Sequence, residues 1–434
     1  MFKFSNDTFY KRHQLELEKY IYKKKSLHIV NLKSKNKILL ETTNTIHLDL
    51  NNNSHLDELS MFDKYDVVLF TDVLENHQDM FKLLNLTREL LNIDGKIIVS
   101  SVNSKFKFLI KFLEILNLKD SNLINNNIQT KKIYNLANGI GLEIQKYYTK
   151  QLFPFKFFNL GNLLNKLLES ILVYFNLGIK TYIILRNISS KKNVFSKSII
   201  VPAKNEAGNL SELISRIPSF PNTEIIFAYG ESKDETLKKM KEIIESEIRF
   251  TFKLVNQSGK GKANAVWEAF SVVDNDLVAI LDADISVDPE TLSDFFNIIE
   301  DNRADFVNGS RLIYTMEKNS MRALNKVGNK FFQFFIGKII RVNLTDSLCG
   351  TKVFKKSYID DLIFWQQNFN FKDPFGDFDL LFSAAYSGQK IIELPVSYKE
   401  RRYGTTQISR FSDGYKLLIY LCKSFFEFNT SRNV

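Results

Sequence analysis

The sequence is short of several things, and each shortage excludes something. It has only two cysteines, Cys349 and Cys422. They are too few and too far apart for a disulfide framework, so a reducing compartment is expected. It has no uninterrupted apolar run of roughly 18 residues, so no membrane-spanning helix is expected. The opening stretch, MFKFSNDTFYKRHQLELEKY, is charged throughout and lacks the apolar core of a signal peptide. No glycine precedes Gly95, which removes from that stretch the residue that lets a backbone approach a cofactor cheaply. Zinc-knuckle spacing, an RNA-binding signature and a long basic arm are also missing, which argues against a nucleic-acid partner.

What is present points to a two-domain globular protein. The chain has 434 residues, 44% hydrophobic and 25% charged, more than one ordinary core accommodates. Its formal net charge of +10 favours anionic partners such as acidic lipid headgroups or phosphorylated substrates, or serves solubility alone. Two stretches, Leu152–Gly178 and Gly414–Phe428, are rich enough in apolar residues to lie on a membrane surface, or to pack on their own domain. The polar, basic segment Asn187–Lys197 precedes the apolar strand SIIVPA. A boundary there divides the chain into domains 1–190 and 196–434.

In the first domain, strand-like and helix-like pieces alternate, which implies an α/β layer structure. Tyr65–Phe70, Lys96–Ser101, Glu143–Tyr148 and Thr181–Arg186 read as strands, and Met80–Asn92 and Lys131–Gly139 as helices. The stretch YDVVLFTDVLEN, a helix, LLNIDGKIIVSSVN and the later KKIYNLANGIGLEIQKYY resemble a class I S-adenosylmethionine-dependent methyltransferase over about Lys37 to Asn187. That resemblance implies a glycine-rich loop after the first strand, but the matching stretch KILLETTNTIHLDL has none. Glu41 and Asp49 read as remnants of the acidic positions, and Asp72 and Glu75 as ordinary strand-end acids. The expectation is a degenerate Rossmann-like methyltransferase domain that serves as a platform, without S-adenosylmethionine.

The second domain carries the chemistry. Strands Ser198–Ala203, Glu224–Tyr229, Phe252–Asn256 and Leu277–Leu281 alternate with helical runs, one of them Leu210–Ile217 with Asn209 as its expected cap. A doubly wound parallel sheet is expected, whose ligands bind beyond the carboxyl ends of its strands. At one such end stand Asp282-Ala283-Asp284. Two carboxylates two residues apart on an extended backbone point the same way and share one hard cation, Mg²⁺ or Mn²⁺, with substrate phosphates.

Together with IIVPAKNE upstream, these motifs resemble the GT-A-fold glycosyltransferases of family 2, especially the polyprenyl-phosphate sugar synthase-like branch. The ordered matches continue through Lys260-Gly261-Lys262-Ala263, Asn308-Gly309-Ser310-Arg311, Asp346 to Lys352, Gly376-Asp377-Phe378-Asp379-Leu380, and Glu393-Leu394-Pro395-Val396 with Arg401, Tyr403 and Gly404. The resemblance spans Ser196–Phe428.

It implies an inverting sugar transfer from a nucleotide-sugar donor to a polyprenyl-phosphate or glycan acceptor, in cell-envelope polysaccharide or glycolipid synthesis, in the cytoplasm, either free or peripheral on the inner face of the cell membrane. Pro202, Ala203 and Glu206 are expected at the base and ribose, and Asp282 and Asp284 at the metal. Asp234 lies near the nucleotide or caps the helix at Glu235. Lys260 and Lys262 meet the diphosphate or form a solvated basic turn. Arg311 clamps a phosphate or pairs with an aspartate. Asp377 is the candidate base and Asp379 the second acid or a cap. Arg401 and Arg410 close over phosphates. Trp365 and Phe369–Phe375 line an acceptor groove or belong to the core. Two departures stand out: Tyr229 occupies a position that is usually acidic, and Thr406-Gln407 replaces the branch's Ser-Lys.

Overall fold

The computed structural model describes residues 6–30, 45–49, 64–74, 80–106, 133, 136–137, 139–152, 168–169, 175–188, 193–314, 323–369, 373, 375–400, 403 and 410–429. The chain divides into two compact units, 1–189 with 425–434, and 190–424. The end of the chain, assigned to the second domain on sequence, therefore groups with the first unit.

The first unit contains α1 (Asn6–Ile21), β1 (Ser26–Val30), β2 (Thr45–Asp49), β3 (Tyr65–Thr71), α2 (Met80–Glu89), β4 (Leu91–Val102), β5 (Leu142–Lys150) and β6 (Lys180–Asn187). They build a six-stranded sheet in the order β2-β1-β3-β4-β6-β5. The first four strands are parallel, and β6 runs antiparallel to both β4 and β5. Strands covered on both faces need near-continuous apolar runs, which YDVVLF and KIIVSS supply. One face packs Leu27, Val68, Phe70, Leu84, Ile97 and Ile183. The other packs Leu17, Tyr20, Val67, Leu69, Ile98 and Ile184 beneath α1.

At the carboxyl edge of β4 this unit is closed by polar side chains. Ser100, Tyr182 and Tyr148 share one rung across β4, β6 and β5. Helix α1 meets that rung. His13 Nδ1 lies 2.7 Å from the Tyr182 hydroxyl and Nε2 3.1 Å from Ser100 Oγ. Glu16 accepts from Lys150 Nζ at 2.9 Å and from the Tyr148 hydroxyl at 2.6 Å. Burial, with Lys180 nearby, pushes the His13 imidazole down to about 3. Burial works against the charge of Glu16, but Lys150 and Lys19 hold its carboxyl well below the ordinary range.

The second unit contains β7 (Lys197–Ala203), α3 (Ala207–Arg216), β8 (Thr223–Tyr229), α4 (Thr236–Ser246), β9 (Thr251–Asn256), α5 (Lys262–Phe270), β10 (Leu277–Ile280), α6 (Leu292–Glu300), β11 (Phe306–Ser310), α7 (Ala323–Ile340), β12 (Lys352–Lys355), α8 (Tyr358–Asn368), α9 (Asp377–Tyr386), β13 (Ile391–Pro395) and α10 (Arg410–Asn429), whose last turns belong to the first unit. The sheet order is β13-β11-β12-β10-β7-β8-β9. Strands β10, β7, β8 and β9 are parallel, as expected. The expected all-parallel sheet is corrected at β12, which is antiparallel to both β10 and β11. Ile199, Val201, Phe227, Ala279, Phe295 and Val353 form part of one continuous core.

Candidate active site

The wholly buried strand β10 drives the chain to Asp282 at the sheet edge. There the backbone turns instead of staying extended, so the two carboxylates are held by separate partners. Asp284 Oδ1 accepts from the Ser286 amide at 3.0 Å. Asp282 forms an ion pair with Lys262, the first residue of α5. Gly261 ahead of it has φ 87, a left-handed conformation that favours glycine. Burial disfavours the charge on Asp282, but Lys262, Lys352 and Arg311 outweigh it and hold the carboxyl below its ordinary range. Burial likewise opposes the charge on Lys262, yet Asp282, Asp377 and Asp284 together raise its pKa. Two ammonium groups, those of Lys262 and Lys352, therefore share a cluster with these carboxylates.

Gly350 forms a wall of this cluster. A Cβ there would overlap Asp282 Oδ2 and Lys262 Nζ, so the DSLCG segment approaches the carboxylate with bare backbone. Asp377 opens α9 behind Gly376, at φ 82, and its Oδ1 lies 2.6 Å from Nζ of the fully buried Lys352. Lys262, Gly350, Gly376 and Asp377 line one pocket, with Trp267 and Phe375 on its sides.

Asp379, expected beside Asp377, does not join it. Two residues on, a helix has turned by about 200°, and Asp379 accepts from Trp365 Nε1 at 3.3 Å and from the Tyr420 hydroxyl. Burial pushes Asp379 up to about 6. Gly376 is the N-cap residue of α9, and Asp373, three residues earlier, supplies the capping side chain, accepting from the Phe375 amide at 3.0 Å and the Phe378 amide at 2.6 Å. Burial, then the neighbouring charges of Asp379 and Asp377, push Asp373 up to about 7. Trp365 stacks on Phe369 at 4.5 Å and is buried, so both are core and line no groove.

Arg311 takes the second of its two expected roles. It grips Asp346 with Nε at 2.7 Å and Nη2 at 2.9 Å, a bidentate geometry. Burial would raise Asp346, but Arg311 holds it at about 2. Glu393 supports the same segment by accepting from the Thr345 amide at 2.6 Å and the Asp346 amide at 3.1 Å.

A second group lies beyond β7 and β8. Ala203 is buried and Pro202 half-buried. Glu206 caps α3 by position, and the expected cap Asn209 instead lies inside the helix, donating to Glu206 Oε2 at 2.6 Å. Asp234 accepts from the Ala207 amide at 3.2 Å, the Thr236 amide at 3.1 Å and the Tyr403 hydroxyl at 3.3 Å. It ties the loop after β8 to the start of α3, and those bonds, working against burial, lower its pKa. The Tyr229 hydroxyl accepts from the Ser232 amide at 3.2 Å, so the non-acidic residue serves its own loop. Lys260 is exposed. Arg401, Glu41, Glu75 and Thr406-Gln407 lie outside the described residues, as do most of Leu152–Gly178 and the Arg410 side chain.

Sequence reading assigned no role to Lys352, Asp373 or Asn329. A lysine inside the apolar run GTKVF was the one available signal for the first. Among the described residues no three His, Cys, Asp or Glu side chains gather as a metal site. Asp282 and Asp284 are hard oxygen donors beside Lys262 and the bare backbone of Gly350. That set fits a divalent cation whose remaining positions are filled by substrate oxygens.

Fold and edge thus define an α/β unit with an acidic, lysine-centred site beyond its parallel strands. Residues 198–363 match the family described as Glycosyl transferase family 2. Over 220 residues the chain is 24% identical to a low-salt glycan biosynthesis hexosyltransferase of Haloferax volcanii, covering 50% of this chain and 51% of that protein. It is 26% identical over 221 residues to a dolichol-phosphate mannosyltransferase of Pyrococcus furiosus, covering 49% and 58%. It is 23% identical over 228 residues to an undecaprenyl-phosphate 4-deoxy-4-formamido-L-arabinose transferase of Proteus mirabilis, covering 51% and 65%. The chain thus spans between half and two thirds of the length of these relatives. Among solved structures, glucosyl-3-phosphoglycerate synthase from Mycobacterium tuberculosis is similar with a TM-score of 0.40 at 15% identity, over 55% of this chain and 82% of that one.

Proposed function

We propose that the second unit is an inverting, metal-dependent GT-A glycosyltransferase that moves a sugar from a nucleotide-sugar donor to a polyprenyl-phosphate or glycan acceptor in cell-envelope polysaccharide or glycolipid synthesis. The observation that carries this reading is the ion pair of Asp282 with Lys262 against the bare backbone of Gly350, with Lys262 and Gly350 lining a pocket that Asp377 shares. The polyprenyl-phosphate names among the relatives support the acceptor class.

Asp282 and Asp284 would hold Mg²⁺ or Mn²⁺, which when bound offsets charge on a departing diphosphate. Lys262, at a helix N-terminus, would exchange its carboxylate partner for diphosphate oxygens. Pro202, Ala203 and Glu206 would flank base and ribose, with Asp234 holding their loops together. Lys260, Arg401 and Arg410 would meet phosphates from the periphery. With a glycan acceptor, Asp377 would take the hydroxyl proton. With a phosphate acceptor, already anionic, it would orient the acceptor and no base is needed. Asp379 would act behind it, through Tyr420 and Trp365, as a positioning residue.

Transfer from UDP- and GDP-sugars to polyprenyl phosphate, compared between the parent and Asp282→Ala, tests the reading. Turnover is expected to fall by at least ~10²-fold, the scale of removing a main electrostatic stabiliser. Unchanged turnover would remove the metal assignment.

For the first unit, the polar closure under α1 supports a platform that has lost its cofactor. The alternative, a bifunctional methyltransferase and glycosyltransferase, requires S-adenosylmethionine binding. A weak scaffold at the membrane requires the second unit not to bind nucleotide.

A further inference from the structure

Helix α7 is apolar on two faces. Its inner face seats Phe332, Ile336 and Ile339 in the protein. There Asn329 Nδ2 donates to Asp346 Oδ1 at 2.6 Å, and Asn329 Oδ1 accepts from the Ser347 amide at 3.1 Å. Its outer face exposes Val327 (65%), Phe331 (45%), Phe334 (55%) and Phe335 (41%). The spacing i, i+4, i+7, i+8 puts all four in one stripe. Single exposed apolar residues are ordinary, but a contiguous stripe marks an interaction site.

The charges that the helix itself carries are of one sign. Lys326, Lys330 and Lys338 are exposed on the same helix, and Arg341 is exposed just beyond its end. The helix sequence, ALNKVGNKFFQFFIGKII, contains no acid. Lys338 Nζ lies 5.7 Å from the centre of the Phe334 ring, inside the apolar stripe.

We propose that this outer face of α7 docks on the surface of an anionic lipid bilayer. The phenyl groups enter the boundary between headgroups and acyl chains, and Lys326, Lys330, Lys338 and Arg341 meet lipid phosphates. Charge decides the occupant. An uncharged apolar stripe would suit another protein, whereas aromatic rings interleaved with lysines and no acid complement a negative headgroup layer. Lysine stems lie along apolar surface while their ammonium groups reach out to phosphate.

The placement has a consequence for the site. Asn329, on the inner face of the same helix, holds Asp346, the partner of Arg311, and the segment from Asp346 runs to Gly350 beside Asp282. Docking would therefore bring the candidate donor site to the lipid surface, where a polyprenyl-phosphate acceptor resides. The proposal deepens the acceptor reading and rests on it for this purpose, but docking itself needs neither donor nor acceptor.

Flotation of the full chain with vesicles tests it, using phosphatidylcholine alone and phosphatidylcholine mixed with phosphatidylglycerol. The parent is expected to float with the anionic vesicles and less so in high salt. The Phe331→Ser/Phe334→Ser/Phe335→Ser variant is expected to partition at least ~10-fold less. Lys326→Glu/Lys330→Glu should lose a similar factor, each basic residue contributing roughly fivefold at an anionic surface. Tyr415→Ser/Leu418→Ser, on the exposed side of α10, should float like the parent. A nucleotide-dependent melting shift, unchanged in the stripe variants, shows that they fold and keep the donor site. Flotation that survives the phenylalanine changes overturns the proposal. So does loss confined to the α10 variant, or a parent that self-associates through the stripe and does not float. Stripe-dependent flotation in a parent that binds no nucleotide would leave docking standing and remove the donor-site reading.

Discussion

The two units carry charge at the edges of their sheets in opposite ways. In the first, His13 and Glu16 come from α1 and are matched by Ser100, Tyr148, Lys150 and Tyr182. These groups are held by the unit's own buried side chains, Glu16 between two lysines. In the second, Lys262 faces Asp282, Asp284 and Asp377, and glycine rather than a side chain closes the approach. Asp282 and Asp377 are each paired with a lysine, Lys262 and Lys352, and a cation or a phosphate arriving at this glycine-lined edge would exchange with those partners. In the first unit His13 and Glu16 face buried partners from the same unit. The comparison teaches that charged groups at a strand end mark a site where glycine, and not another side chain, leaves them approachable.

Four experiments break or sharpen this contrast. The largest expected effect is on stability in the first unit. Glu16→Gln leaves Lys150 and Lys19 buried without their carboxylate, and removing one partner of a buried pair costs about 3–5 kcal/mol. Denaturant unfolding should show that loss, and a variant as stable as the parent would mean the unit is not held by these pairs. Next, Asp282→Ala should lower sugar transfer by at least ~10²-fold while its unfolding midpoint stays close to the parent's.

The third experiment uses pH, where the units should respond in opposite directions. The folded pKa of His13, about 3, lies below its ordinary 6.5, so the unfolded chain binds the extra proton and stability is lost as pH falls from about 6.5 towards 3. The folded pKa of Asp373, about 7, lies above its ordinary 3.8, so its contribution is present below about 3.8 and is lost as pH rises through 7. Hydrogen exchange of β4 amides should flatten over the acid range in His13→Gln, and that of α9 amides between pH 4 and 7 in Asp373→Asn. The smallest effect is an absence: calorimetry with millimolar S-adenosylmethionine should give no heat, and a binding isotherm would reopen the first unit's edge.

The sequence made the layers legible because parallel strands covered on both sides read as unbroken apolar runs, as in Tyr65–Phe70 and Glu224–Tyr229. It missed β12 because KVFK is short and begins with a lysine, whose burial is explained by Asp377 across the fold and by the Cys349 carbonyl. The motifs put Lys262, Asp282 and Asp377 on one edge. What each touches was out of reach, since Asp377 and Asp379 look alike in sequence and diverge only once the helix turns between them. Asp373 stands four residues before Asp377 with no regular element of its own, so nothing marked it as the capping side chain. The outer phenylalanines of α7 merged with the inner ones into a run without a polar side, and exposure alone separates them.

The most direct test of the central claim is the melting temperature of the full chain with UDP, GDP, dTDP and CDP, each with and without Mn²⁺, in the parent and in Asp282→Ala. A ligand that binds only the folded state raises the melting temperature. The account predicts a shift with one nucleotide that requires Mn²⁺ and disappears in Asp282→Ala. No shift with any nucleotide, or a shift indifferent to both metal and Asp282, would contradict it.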